Sequence, residues 1–320
     1  MTKIFLLLYL STIFAWGSPL LQIYRDIPLP GPVARFDYAS FDSKNGLLYL
    51  NHMGANEVIV FDTRTNRVLT VLRGFSRCTG ILAVPDLGKI FVSTPGRGQV
   101  AVINMKTDEV MARLPAGKFP DGIAFDPTTK RIFISDELGR AVTVVDGIKL
   151  TVLKRISIGG EAGNTQFDNK SHLVYTNDQT NGKLLEIDPV SLEVKRRIPL
   201  DMKGNHGLYI DSKRNLAYIA SETEDRLLVM RLSPAKIIEH FRLGKEPDVL
   251  AFDSALGRLY VASESGIVSL FETQSGRLKK LGDIKVGLNA HVVATDPSSH
   301  LVYFPIKSRD GRPALRIMKQ

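Results

Sequence analysis

Residues Asp121 to Gly160 read DGIAFDPTTKRIFISDELGRAVTVVDGIKLTVLKRISIGG. An apolar run closing at Asp126-Pro127 is followed by RIFIS, then VTVVD, then the mixed run TVLKRISI, with polar turns between them. The runs are rich in the β-branched and aromatic residues that fit a pleated surface. Asp-Pro here, like Asn45-Gly46 and Asn181-Gly182 elsewhere, accepts turn geometry cheaply. The block therefore predicts four short strands and no helix.

The block recurs along the chain. With Asp126 as anchor, the equivalent positions are Asp42, Val84, Asp126, Asp168, Asp211, Asp253 and Asp296, at spacings of 42, 42, 42, 43, 42 and 43. A fixed period in this range marks a repeat architecture. The second strands read LLYLN, KIFVS, RIFIS, LVYTN, LAYIA, RLYVA and LVYFP, and the third strands keep the same apolar character. Seven copies of four strands predict an all-β fold, a seven-bladed β-propeller with four antiparallel strands per blade, formed by residues 18–320 as a single domain. The seventh copy stops after its third strand, Leu315 to Met318. Gln22 to Leu29 (QIYRDIPL) matches the fourth strand KRRIPL of residues 195–200. An N-terminal strand is thus expected to complete the last blade and close the ring, since an open ring would expose two sheet edges.

The first residues stand outside the repeat. Lys3 precedes an apolar run from Ile4 to Leu10, and Ala15 and Gly17 supply the small residues of a cleavage site. Residues 1–17 are read as an export signal cleaved after Gly17, because the run is short of the ~20 residues a membrane span needs. The location expected is secreted or periplasmic, with no membrane span in the mature chain, which is read as a monomer. The only tryptophan, Trp16, leaves with the leader, and so does Lys3, which takes the formal charge from +9 to +8. A single cysteine, Cys78, excludes an internal disulfide and any multi-cysteine metal site, and a lone exported thiol is expected to be buried.

Phe119 to Pro127 (FPDGIAFDP) with Arg131 to Ser135, and Tyr175-Thr176-Asn177 in the next copy, resemble the repeat of the YVTN family of bacterial propellers. The resemblance covers about residues 20 to 320, with block five departing at Tyr218-Ile219-Ala220. It implies the propeller fold and an exported location. It implies no single activity, because propellers host many functions.

Chemistry is expected at one rim of the central channel. Five residues before each anchor stand Asp37, Thr79, Asp121, Gly163, His206, Asp248 and His291. Blades five, six, seven and one are neighbours in a closed ring, so His206, Asp248, His291 and Asp37 should share one arc. The loops after the second strands add His52, Asp136, Asp178, Glu222 and Glu264. Imidazoles and carboxylates facing one cavity suit a divalent cation such as zinc or manganese. The same groups at a channel mouth also serve simply to satisfy neighbouring backbone. Two functions remain open on this pattern: a binding or scaffold module with its ligand (a small molecule, a protein or an anionic polymer) at the rim, and a metal-dependent hydrolase or lyase of lactonase type with His206 and His291 as ligands or bases and Asp37, Asp121 and Asp248 as ligands or orienters. Basic runs at Lys154-Arg155, Lys195-Arg196-Arg197 and Lys279-Lys280 fall on fourth strands, where they either guard an exposed edge or attract nucleic acid and other polyanions.

Overall fold

The computed structural model describes residues 20–274 and 276–320. The leader read at residues 1–17, with its cleavage point, lies outside them. Seven four-stranded antiparallel sheets are arranged as the blades of a propeller. Blade three, for example, runs Pro120–Asp126, Arg131–Asp136, Ala141–Asp146 and Thr151–Ser157 from channel to periphery. No helix among the described residues is long and apolar enough to cross a membrane.

Three sequence features explain why the repeat folds this way. Each second strand carries one aromatic at the same place: Tyr49, Phe91, Phe133, Tyr175, Tyr218, Tyr260 and Tyr303, all almost completely buried. These rings fill the space between adjacent blades, so the core is divided into clusters that join neighbours. Tyr218, Leu227 and Val229 of blade five, for instance, pack with Phe252, Leu259 and Phe271 of blade six. Burying such a side chain contributes ~2–3 kcal/mol. In blades one, two and four the residue two positions further on ties one blade to the next: Asn51 Nδ2 donates to the carbonyl of Gly80 at 3.1 Å, and Asn177 Nδ2 to those of His206 and Gly207 at 3.1 and 3.2 Å. Ser93 makes the equivalent bond to Asp121 O at 2.7 Å. Ala220 and Ala262 at the same place have no side-chain donor to offer.

The anchor aspartates are turn-formers. Asp126 accepts the backbone N–H of Thr128 at 2.8 Å, and Asp253 those of Ala255 and Leu256 at 3.0 and 3.1 Å. This side-chain bond to the next turn is why aspartate recurs there.

The ring closes as expected. Gln22–Pro28 is the outermost strand of blade seven, antiparallel to Arg312–Lys319, with Gln22 opposite Lys319 and Pro28 opposite Ala314. Arg316 grips Asp26 with both arms at 2.8 Å, and Arg309 adds a third contact.

The basic runs do lie on the outermost strands. Much of their charge is taken up locally, by Asp136 for Arg155, Glu186 for Arg196 and Asp283 for Lys280. That favours edge protection over a free cationic face.

Candidate functional site

First strands begin at one rim of the channel, so the residues just before the anchor-minus-four position converge there. Asp37, Asp121, His206, Asp248 and His291 form a buried inner ring, each at most 7% exposed. The arc expected from blades five, six, seven and one is contiguous. His206 Nε2 lies 3.5 Å from Asp248 Oδ1, His291 Nε2 lies 3.8 Å from Asp248 Oδ2, and His291 Nε2 lies 3.6 Å from Asp37 Oδ1. Asp121 joins from blade three, 3.5 Å from His206. An outer, half-buried ring of Arg35, Glu137, Glu222 and Glu264 covers it.

The rim loops divide into two sets. Glu222 and Glu264 point to the cluster, with Glu264 Oε2 3.6 Å from His291 Nδ1. His52, Asp136 and Asp178 do not. They stand ten residues after their anchors, whereas Glu222 and Glu264 stand eleven after theirs. In a strand a shift of one residue sends the side chain to the other side. His52 lies buried and stacks on Phe36, with ring centroids 4.2 Å apart, beneath a turn at Gly31 whose φ of +95° favours glycine. Burial pushes its imidazole below the usual range. Asp136 binds the N–H of Phe119 at 2.8 Å and pairs with Arg155, and Asp178 holds Asn181 at 2.9 to 3.1 Å. Asp136 and Asp178 are loop ties, and His52 is held by its stacking on Phe36.

The same register identifies a residue that the sequence reading passed over. Glu137 is eleven after Asp126 and belongs to the outer ring, where it accepts a bond from Gln179 at 3.4 Å. Aligning every copy on its anchor would have found it. Tyr38 occurs in one blade only, so no repeat comparison points to it, whereas Arg35 has a counterpart in Arg77, each seven residues before its anchor. Arg35 pairs with Glu264 and reaches Asp37 at 3.5 Å and Asp248 at 3.8 Å.

Tyr38 spans the channel. Its hydroxyl lies 2.7 Å from Asn164 Oδ1, 3.0 Å from His206 Nε2 and 3.1 Å from Asp121 Oδ2. One hydroxyl has one proton. Donating it to Asn164 leaves the lone pairs for an N–H of His206 and an acid proton of Asp121. The electrostatics agree: burial, helped by the charges of Asp37 and Glu137, pushes the Asp121 carboxyl well above its usual range. Burial likewise raises Asp248, although His206 and His291 oppose the rise. Burial alone would lower His206, but Glu222, Asp248, Asp121 and Glu137 outweigh it and hold the imidazole protonated.

The balance is acidic. Six carboxyl groups (Asp37, Asp121, Glu137, Glu222, Asp248 and Glu264) face three cationic side chains, Arg35, His206 and His291. Within the inner ring three buried atoms lack a hydrogen-bond partner: Asp248 Oδ1, His206 Nδ1 and His291 Nε2. Two groups of ligand atoms lie within 4.8 Å of one another, Asp37–Asp248–His291 and His206–Glu222–Asp248. The inner ring is closed over, and the open space lies beneath Tyr38, in a cavity of about 160 Å³ lined by residues including Ser40, Leu82, Ile123, Gln166 and Val293.

No family model matches the chain, and no curated protein matches it. The family resemblance therefore rests on the repeat residues quoted above, while the propeller fold is shared widely. A hydrazine synthase chain from Kuenenia stuttgartiensis is similar at a TM-score of 0.75 and 14% identity, over 91% of this chain and 96% of that one. Virginiamycin B lyase from Staphylococcus aureus is similar at 0.78 and 10%, over 94% and 99%. U3-55K is similar at 0.78 and 11%, over 92% and 98%. Proteins so different in name show a common fold and no common activity.

Proposed function

We propose that the chain is an exported binding propeller whose ligand engages the acidic rim through a divalent cation held around Asp248. The observation that carries this reading is the excess of carboxyl groups over cationic side chains at the rim, six against three, together with the unpartnered buried atoms of Asp248, His206 and His291. Buried charge without a partner is costly, and a bound cation removes that cost. Mixed imidazole and carboxylate donors suit zinc, manganese or ferrous iron better than calcium or magnesium. Binding would release the protons that the imidazoles and carboxyls otherwise hold. Without the cation the rim repels anions; with it, an anionic ligand can dock from solvent between Arg35 and the ion.

A second reading, a metal-dependent hydrolase or lyase, draws support from Tyr38. A phenol 3.0 Å from an imidazole and beside the cation pocket is a proton donor and acceptor pair. The likeness to virginiamycin B lyase lends this an analogy of fold only.

The test is elemental analysis of protein purified without chelator, beside His291→Ala and Asp248→Asn. Stoichiometric metal in the wild type, lost from both variants, is expected. A metal-free wild type that also fails to take up zinc or manganese on dialysis overturns the reading.

A further inference from the structure

We infer that the rim is built for a pair of cations bridged by Asp248, rather than for one. This rests on the cation reading above and sharpens it.

The two oxygens of Asp248 are divided between opposite neighbours: Oδ1 is 3.5 Å from His206 and Oδ2 is 3.8 Å from His291. Each side has its own further carboxylate, Asp37 with His291 and Glu222 with His206. The two donor sets share Asp248 and nothing else. A single ion between them would use one side and leave the other imidazole and carboxylate uncompensated.

Burial supplies an independent observation. Asp248 is 3% exposed and His291 is fully buried, yet Asp248 Oδ1 and His291 Nε2 have no hydrogen-bond partner. On the other side the His206 nitrogen nearest Asp248 is Nε2, 3.5 Å from the unpartnered Asp248 Oδ1. Unpartnered atoms therefore flank both sides of the shared carboxylate. A self-satisfied salt-bridge network would leave few such atoms, since buried polar groups are nearly always bonded.

A carboxylate that binds one ion through each oxygen holds the two at the separation found in two-metal sites, roughly 3.5–4 Å. Such a pair would present two adjacent positive centres at the channel mouth. The ligand class this fits is an oxyanion with two free oxygens, a phosphate or carboxylate group, bound across both ions with Arg35 at its edge. Arg35 already lies on this edge, 3.8 Å from Asp248.

Manganese is the probe. Protein stripped with chelator and dialysed against Mn2+ is expected to bind two ions per chain. Its low-temperature electron paramagnetic resonance spectrum should show an exchange-coupled pair instead of isolated six-line manganese. Glu222→Gln is expected to lower the count from two to one and to abolish the coupling while the protein keeps its wild-type circular dichroism. One uncoupled ion per wild-type chain would overturn the pair and leave the single-cation reading intact. No bound ion would overturn both. Two ions without coupling, or two ions retained in Glu222→Gln, would place the second elsewhere and refute the bridge.

Discussion

Replacing Asp26 by alanine should loosen the whole ring, because one carboxylate fastens the last blade. Asp26 sits on the N-terminal strand Gln22–Pro28, its side chain 5% exposed, and receives both arms of Arg316 at 2.8 Å and a contact from Arg309. The side chain of Arg316 is 16% exposed and that of Arg309 is 45% exposed. Removing one partner of a buried pair typically costs about 3–5 kcal/mol, since the other charge is left desolvated and alone. Arg309 can turn to water, so the lower end, ~3 kcal/mol, applies. A chain of this length has an unfolding entropy of roughly 0.6 kcal/mol/K, which converts that cost to a fall in Tm of about 5 °C. Lys195→Ala is the control. Its side chain, on the outer strand Glu193–Pro199, is 57% exposed and its ammonium lies 3.8 Å from Asp188, and an exposed pair contributes ~0–1 kcal/mol. The assay is thermal unfolding followed by circular dichroism, with trypsin cleavage after Arg25 as a local report on the closing strand. An Asp26→Ala protein that melts within ~1 °C of the wild type, with Arg25 still protected, would refute the argument that this contact locks the ring.

Two more outcomes follow from the repeat. Asn177→Ala removes both bonds to the first strand of blade five and leaves buried carbonyls short of a donor, so stability should fall by about 1–3 kcal/mol; an unchanged urea midpoint would show that these ties are not used. Backbone N–H groups hold the carboxyls of Asp146 (from Lys149 first) and Asp188 (from Val190 first) below the usual range. A carboxyl with a depressed folded pKa stabilises fully above its unfolded value, near 4, and loses that contribution as pH falls through the folded value. The gap in urea midpoint between wild type and Asp146→Asn/Asp188→Asn should therefore be widest at pH 6 and close toward pH 3; a gap constant with pH would contradict this assignment.

The fold was legible because the same physical demand is repeated seven times. A blade needs a buried aromatic and a side chain that closes the turn, and each need leaves a residue type at a constant distance from Asp42, Asp126 or Asp253. The closure by Gln22–Pro28 was legible for the opposite reason, as a missing strand at one end and a spare one at the other. The inner ring could be read because it too is a repeat position. The outer ring was read only in part. His52, Asp136 and Asp178 share the strand ends with Glu222 and Glu264 but differ by one residue, and composition does not reveal which way a side chain leaves the strand. Tyr38 breaks the pattern of its own repeat, so no counterpart in another blade marks it, and the arginine at the position of Arg35 recurs only as Arg77.

Tyr38 gives the molecule a property that the word channel conceals. Its ring stands between the acidic rim and the cavity of about 160 Å³ below, and its hydroxyl is bonded on the rim side to Asp121 and His206. The disc is therefore two shallow cups placed back to back, with one side chain as their common floor. A molecule entering from the Gln166 side meets an aromatic face and no acid, whereas one entering from the Arg35 side meets charge. Substitutions can reshape either cup while the other keeps its chemistry, so long as the floor stays in place.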